Sequence, residues 1–285
     1  MTIDAGAGND TIHAYGSNQL IQYSGGNDYY IYLGDTDTLQ IASGTMNSIV
    51  NSNDSDYLLT VGESIITLKG AARSDKINIV NAKGKAIKFK VKVVGTDEYD
   101  YLYNKVSGAT IDAGAGNDDI YNEGSKVTIS GGDGDDTVYN YTVWNSETQK
   151  YEGADNVTID GGKGNDYIDN EASWNSETQM YEGADNVTID GGDGNDDISG
   201  CDEKETLKGG KGNDSVYAYG GNDKIYGQDG NDELYGGEWD DSWHDGGSNV
   251  TINAGAGDDY IDNSGSKVTI SGGDGNDYID NSDSK

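Results

Sequence analysis

Aliphatic residues fall on a nine-residue beat from residue 120 to the end of the chain. They stand at Ile120, Ile129 and Val138, then Ile159 and Ile168, and from Ile189 at Ile198, Leu207, Val216, Ile225, Leu234, Trp243 (an aromatic on the beat), Ile252, Ile261, Ile270 and Ile279. Two steps of twenty-one interrupt the beat, and each is nine plus a twelve-residue insertion. The insertions lie within VWNSETQKYEGADN (143–156) and SWNSETQMYEGADN (173–186), which are near-identical copies. A phase held this long requires one small structural unit, built repeatedly. Glycines between the aliphatic residues permit the left-handed turns of a tight loop, and the residues that follow form a very short strand with one inward side chain. Neither half is stable alone, but stacked coils bury a continuous ladder and pair each strand with the next.

Composition excludes most alternatives. Only 33% of the 285 residues are hydrophobic and there is one phenylalanine, too little for an ordinary globular core. The net charge of -34 with few apolar residues is also a signature of disorder, and the sustained period argues against that. This charge repels nucleic acid and anionic membrane surfaces and attracts cations. One cysteine, Cys201, excludes an internal disulfide framework. No stretch has the length and apolarity of a membrane span or a signal peptide. The chain opens inside a repeat, MTIDAGAGND, which suggests a segment of a longer protein.

The stretches GGDGDDTVY (131–139), GGKGNDYID (161–169), GGKGNDSVY (209–217) and GGDGNDYID (272–280) resemble the repeats-in-toxin nonapeptide, G-G-x-G-x-D-x-U-x. The resemblance covers 96–285 well and 1–31 in part. It implies an all-β, right-handed parallel β-roll, a solenoid of eighteen-residue coils with a loop at each edge. It also implies calcium between consecutive loops of one edge, held by the aspartate at motif position six and by carbonyls of the glycine turn, since hard cations take oxygen ligands.

Position six reads Asp118, Val127, Asp136, Val157, Asp166, Val187, Asp196, Glu205, Asp214, Asp223, Asp232, Asp241, Val250, Asp259, Val268, Asp277. The alternation assigns aspartate to one edge and valine to the other. Strict nine-residue phasing places Asp118, Asp136, Asp166, Asp196, Asp214 and Asp232 on one edge and Asp223, Asp241, Asp259 and Asp277 on the other. The calcium row is therefore expected to change edge near 214–241. Asp10 and Asp28 suggest one more site, giving about eight or nine ions in all. The resemblance assigns the turn carbonyls to Gly114 and Gly116; Gly131, Gly132 and Gly134; Gly161, Gly162 and Gly164; Gly191, Gly192 and Gly194; Gly209, Gly210 and Gly212; Gly255 and Gly257; and Gly272, Gly273 and Gly275.

Three regions are expected: the end of a roll at 1–31, a β-rich spacer at 32–95, and the main roll at 96–285. In the spacer the nine-residue phase is lost, and ESIITLKG and KAIKFKVKVV read as longer antiparallel strands. Its basic residues, Lys69, Arg73, Lys76, Lys83, Lys85, Lys88, Lys90 and Lys92, do not make a nucleic-acid site within so acidic a chain. Trp239, Asp240, Asp241, Trp243 and His244 form a patch in which Trp243 fills a ladder position and Asp241 holds calcium. The inserts, with Trp144, Tyr151, Trp174 and Tyr181, read as two hairpins packed on each other at the edge without aspartate, with a ligand- or partner-binding fringe of exposed aromatics as the alternative. No H-E-x-x-H or G-x-S-x-G motif is present, and no catalyst is expected. The expected role is a calcium-dependent structural segment of an extracellular, adhesin-like or type I secreted bacterial protein. An accessory module of a secreted enzyme and a calcium-bridged matrix protein are the alternatives, with self-association or host-surface ligands as further partners.

Overall fold

The computed structural model describes residues 1–14, 17–30, 36–44, 46–53, 56–69, 78–88, 90–177, 180–237 and 248–282. These hold 31 β-strands and no helix. Asp241, with Trp239, Asp240, Trp243 and His244, lies outside the described residues, as do Arg73 and Lys76. The chain divides into two compact units, Met1–Val94 with Leu102–Ile111, and Gly95–Tyr101 with Asp112–Lys285.

The second unit is a parallel β-roll of two faces. One face stacks Thr128–Asp133, Thr158–Lys163, Val187–Asp193, Glu205–Lys211, Lys224–Asp229, Thr251–Ala256 and Thr269–Asp274, every neighbouring pair parallel. The other stacks Asp119–Asn122, Thr137–Tyr141, Tyr167–Glu171, Asp197–Ser199, Ser215–Tyr217, Glu233–Tyr235, Tyr260–Asn263 and Tyr278–Asn281, again all parallel. Consecutive strands alternate faces, so each coil contributes one strand to each. In register, Ile129, Ile159, Ile189, Leu207, Ile225 and Ile252 line the first face from inside, and Ile120, Val138, Ile168, Ile198, Val216, Leu234 and Ile261 line the second. All are buried. Each such rung contributes about 1.5–3 kcal/mol, and a coil holds two, joined in several coils by one buried valine of the turn (Val127, Val157, Val187, Val250), so the apolar core is thin.

The register corrects the expected change of edge. Thr251 pairs with Lys224 and Tyr260 with Glu233, a separation of 27 where an ordinary coil has 18. This step is nine residues longer than a coil, and the ladder passes directly from Ile225 to Ile252. The longer step places Val250 in line with Asp223 and Asp259 in line with Asp232. Asp259 and Asp277 therefore stay on the edge of Asp118 to Asp232. The physical reason is like-with-like stacking: the Asp232 amide donates to Asp259 Oδ1 at 2.9 Å, a bond that valine could not accept.

The opposite edge is built without carboxylates over most of its length. Asn122, Asn140 and Asn170 form a buried amide ladder, with Asn122 Nδ2 donating to Asn140 Oδ1 and Asn140 Nδ2 to Asn170 Oδ1, each at 2.7 Å. Asn263 and Asn281 repeat it at 2.7 Å. Stacked amides satisfy one another along a solenoid as they do in cross-β ladders. The turn then closes through a left-handed residue just before each valine: Lys126, Asn156, Asn186, Asn249 and Lys267 have φ of 57–60°. The Asn-Val-Thr triplets are accordingly turn entries.

Gln228 takes a φ of 85° in the place where Gly210 and Gly255 sit in the neighbouring coils. A side chain there is strained by roughly 1–2 kcal/mol. Gln228→Gly is expected to raise the stability of the calcium-loaded protein by about 1 kcal/mol, read as a higher thermal midpoint. An unchanged or lower midpoint would contradict the strain.

The two insertions form antiparallel hairpins, Val143–Asn145 with Lys150–Glu152 and Ser173–Asn175 with Met180–Glu182. They leave the roll between the asparagine ladder and the valine turn. The Tyr151 amide and the Thr142 hydroxyl both donate to Glu182, at 3.1 and 3.2 Å, so the first hairpin and its base lean on the second. Trp144 packs edge-on against Tyr151 at 5.3 Å.

In the first unit, Ile3, Ile21, Leu39 and Ile79 stand in register on parallel strands. The ladder thus runs beyond residue 31 at the same spacing of 18, Leu20–Tyr23 stacking on Thr38–Ile41. Met46–Asn53, Asp56–Val61 and Ser64–Leu68 form an antiparallel meander. It joins the roll edge to edge, the Thr67 amide donating to Asp28 O at 2.9 Å. Lys69 pairs with Asp56 across this meander and sits over the Tyr29 ring, so it is absorbed by structure.

Candidate metal centre

One edge of the second unit carries a row of nine aspartates: Asp100, Asp118, Asp136, Asp166, Asp196, Asp214, Asp232, Asp259 and Asp277. The backbone amide of each donates to Oδ1 of the next, through eight links of 2.7–3.2 Å. This bond fixes each carboxylate and turns its second oxygen inward. Asp118, Asp136, Asp166, Asp196, Asp214, Asp232 and Asp259 are only 1–2% exposed. Their Oδ2 atoms are buried and accept no hydrogen bond. A desolvated carboxylate oxygen without a donor is costly, and here the cost recurs at every coil.

The glycines explain how the oxygen comes to lie there. At motif position one, a Cβ on Gly131, Gly161, Gly191, Gly209, Gly227 or Gly272 would collide with Oδ2 of the aspartate five residues later in the same turn. At positions two and four, Gly132, Gly134, Gly162, Gly164, Gly192, Gly194, Gly210 and Gly212 have φ of 111–151°, and a Cβ would strike the matching carbonyl of the preceding coil. Gly114, Gly116, Gly255, Gly257, Gly273 and Gly275 repeat the arrangement. The position-four amide is occupied with the position-three carbonyl of the next coil, as in Gly164 to Asp193 O at 2.8 Å. Beside the Oδ2 atoms of Asp136, Asp166 and Asp196 lies the position-one glycine carbonyl of the next coil, from Gly161, Gly191 and Gly209. The groups that meet there, a carboxylate Oδ2 and a glycine carbonyl of the next coil, are oxygen donors of the kind a hard divalent cation takes. The residues fit calcium.

Electrostatics agree. Burial raises the carboxyls of the row, and neighbouring carboxylates add to the effect: Asp136, Asp196 and Asp232 are pushed up to about 6, and Asp166 and Asp214 to about 7. Asp118 and Asp259 are raised for the same reasons.

A second ladder runs beside the first with opposite polarity. The position-five amide of each coil donates back to the position-five side chain before it, from Asp135 to Asn117, Asn165 to Asp135, and on to Asn276 to Asp258, at 2.7–3.1 Å. Sequence reasoning passed over it, although the recurrence of Asn or Asp before every position-six aspartate was visible. It also passed over Asp100, Gly227 and Gly230, which the spacing of eighteen would have found.

A protein-family model for the RTX calcium-binding nonapeptide repeat matches residues 2–30, 110–124, 127–140, 153–172, 183–200, 202–234 and 268–283. These segments cover just over half of the chain. The chain belongs to the RTX calcium-binding nonapeptide repeat family. No curated protein matches it. The RTX match stops at 234 and resumes at 268, so the coil of Asp259 falls outside it, yet the register sets Asp259 squarely in the row.

Two RTX positions lie away from this row. In the first unit, the Asp10 amide donates to Asp28 Oδ1 at 2.9 Å, Gly26 packs on Gly8 O, and Asp10 Oδ2 is a buried oxygen without a partner. On the valine edge of the second unit, the Glu205 amide donates to Asp223 Oδ1 at 2.8 Å, and Asp223 Oδ2 is likewise unpartnered. Small residues, Gly200 and Ala218, replace the ladder asparagine at these two coils. Cys201 is buried and donates to Glu205 Oε1 at 2.8 Å, so it is a packed partner of a carboxyl and not an exposed thiol.

Proposed function

We propose that this RTX roll is a segment that folds when calcium rises, holding its ions between consecutive coils of the aspartate edge. The observation that carries the reading is the run of buried, unpartnered Oδ2 atoms from Asp118 to Asp259. Seven inter-coil spaces lie between Asp118 and Asp277. One more lies at Asp10 and Asp28 and one at Glu205 and Asp223, with Asp241 standing outside the described residues. Calcium bound in these spaces supplies positive charge against carboxylates that the fold has desolvated. The chain supplies everything else: the amide ladder aims each Oδ2, the glycines admit the coil above, and the two aliphatic rungs per coil give too little burial to stack the row unaided. Binding energy is then folding energy.

In this reading the role is structural: a spacer of a secreted or cell-surface protein, ordered at the millimolar calcium of extracellular fluids and disordered at cytosolic levels. Far-UV circular dichroism during a calcium titration tests it, with calcium counted on the desalted protein. Strand signal is expected to appear cooperatively with calcium and to vanish with chelator. A strand signal indifferent to chelator would refute the proposal. Calcium-dependent light scattering distinguishes a monomeric spacer from a self-assembling matrix protein.

A further inference from the structure

The solvent side of the second face carries a tyrosine on one side of nearly every rung and a polar or acidic residue on the other. Where Tyr121, Tyr139, Tyr217 and Tyr235 hold the position after the rung, the residue before the rung is Asp119, Thr137, Ser215 or Glu233; where Tyr167, Tyr260 and Tyr278 hold the earlier position, Asp169, Asp262 and Asp280 hold the later. The rings stack into two runs, Tyr101 through Tyr167 with centroids 4.9–5.9 Å apart and Tyr217 through Tyr278 at 4.6–6.0 Å. One coil between them, with Asp197 and Ser199, has no tyrosine.

That gap is a cavity of about 260 Å³, with Ser199 and Gly200 among its lining residues, Tyr167 and Tyr219 on it as aromatic groups, and Asp169 and Glu171 as carboxylates. Tyr219 holds φ at 57°, a left-handed conformation that a bulky residue adopts only under constraint. Strain of that kind collects at ligand clamps. Its ring packs on Tyr217 at 6.5 Å. Asp169 is partly desolvated and meets the charge of Glu171, and the Tyr167 hydroxyl donates to it at a long 3.4 Å. No lysine or arginine lines the cavity.

We propose that this cavity binds an organic ammonium group on an aliphatic stem, the stem between Tyr167 and Tyr219 and the charge against Asp169 and Glu171. Aromatic rings favour a cation and its methylene groups, and an ammonium supplies three donors to a pair of carboxylates. The cavity is of a size for one such chain. A free alkylamine and the side chain of a lysine in a peptide share this chemistry.

The full chain in saturating calcium is titrated with 1,5-diaminopentane and, separately, with N-acetyl-lysine methylamide, following tyrosine resonances by NMR. The expected result is saturable binding that shifts Tyr167 and Tyr219, with the lysine derivative binding at least as well if the source is a peptide and the diamine better if it is a free amine. Tyr219→Gly, which relieves the strained backbone, and Glu171→Gln are each expected to weaken binding about tenfold or more with the calcium-loaded dichroism spectrum unchanged. Asp262→Asn with Asp280→Asn, distant on the same stripe, is expected to leave it intact. Equal weakening by the distant pair would show diffuse attraction to an acidic surface and overturn the proposal. So would equal binding of 1,5-pentanediol or methyl glucoside, which would mark a site for hydroxyls, and so would the absence of any saturable shift. These outcomes are independent of where calcium binds, because they are read on protein already folded.

Discussion

Replacing Gly162 by alanine is expected to destabilise the calcium-loaded roll by about 3 kcal/mol or more, combining backbone strain and overpacking of roughly 1–3 kcal/mol each. Gly162 has φ of 114°, outside the range of L side chains, and its Cβ would enter the Gly132 carbonyl of the preceding coil. The carbonyl cannot retreat, because its own strand is locked in parallel register with the Gly162 strand through Gly132 and Gly162 themselves. The coils would have to separate beside the turns that carry Asp136 and Asp166. Gly62→Ala is the comparison: its φ is 65° and a Cβ there meets nothing within 4 Å, so only the left-handed penalty of about 1–2 kcal/mol applies. Urea unfolding of both variants in saturating calcium measures the difference. Equal losses would mean that glycine serves backbone freedom alone and that close coil approach is not a constraint.

The roll was legible because its two halves are each written locally. A single aliphatic residue in every nine, as at Ile159 and Ile168, states both the strand and its inward face, and position six states which edge is charged. The change of edge was misread because counting by nine assumes that every nonapeptide occupies the ladder. Register energy decides the step: 27 residues from Glu233 to Tyr260 keep Asp259 under the Asp232 amide and Val250 in line with Asp223, where a step of 18 would have stacked Val250 on the aspartate row. Nothing local to EWDDSWHD announces that outcome. The buried amide ladder through Asn122, Asn140 and Asn170 was missed for a different reason. Asparagine before a turn reads as turn chemistry, and only the stacking of coils reveals that its side chain is paired between them. In the first unit, Leu39 keeps the eighteen-residue step, but the strand run around it hides the phase.

In chelator, the roll is expected to gain strand structure as the pH is lowered from 7.5 towards 4, and Asp166→Asn is expected to shift the protein in the same direction at neutral pH. Asp166 and Asp214 are raised to about 7 in the folded state by burial, and Asp136, Asp196 and Asp232 to about 6. In the unfolded chain these groups ionise near 4. The folded state therefore binds protons more tightly, so the stability they lend is fully present below about pH 4 and is lost as the pH rises through 6 to 7. A proton does for one carboxylate what half a calcium ion does, by removing charge from a site the fold has dried. Asparagine at 166 keeps the Oδ1 acceptor that the Asp136 amide uses at 2.8 Å and removes the charge permanently. In calcium the sign reverses, because the same residue is lost as an anionic ligand: the calcium midpoint of folding is expected to move up by about tenfold, equivalent to roughly 1.4 kcal/mol. Dichroism against pH in chelator, and against calcium at pH 7.5, measures both arms on the same two proteins. A variant that was less folded than the parent in both arms would place Asp166 in the fold as a packing residue. Opposite signs in the two arms are the signature of a carboxylate that is a burden to the empty coil and a ligand in the filled one.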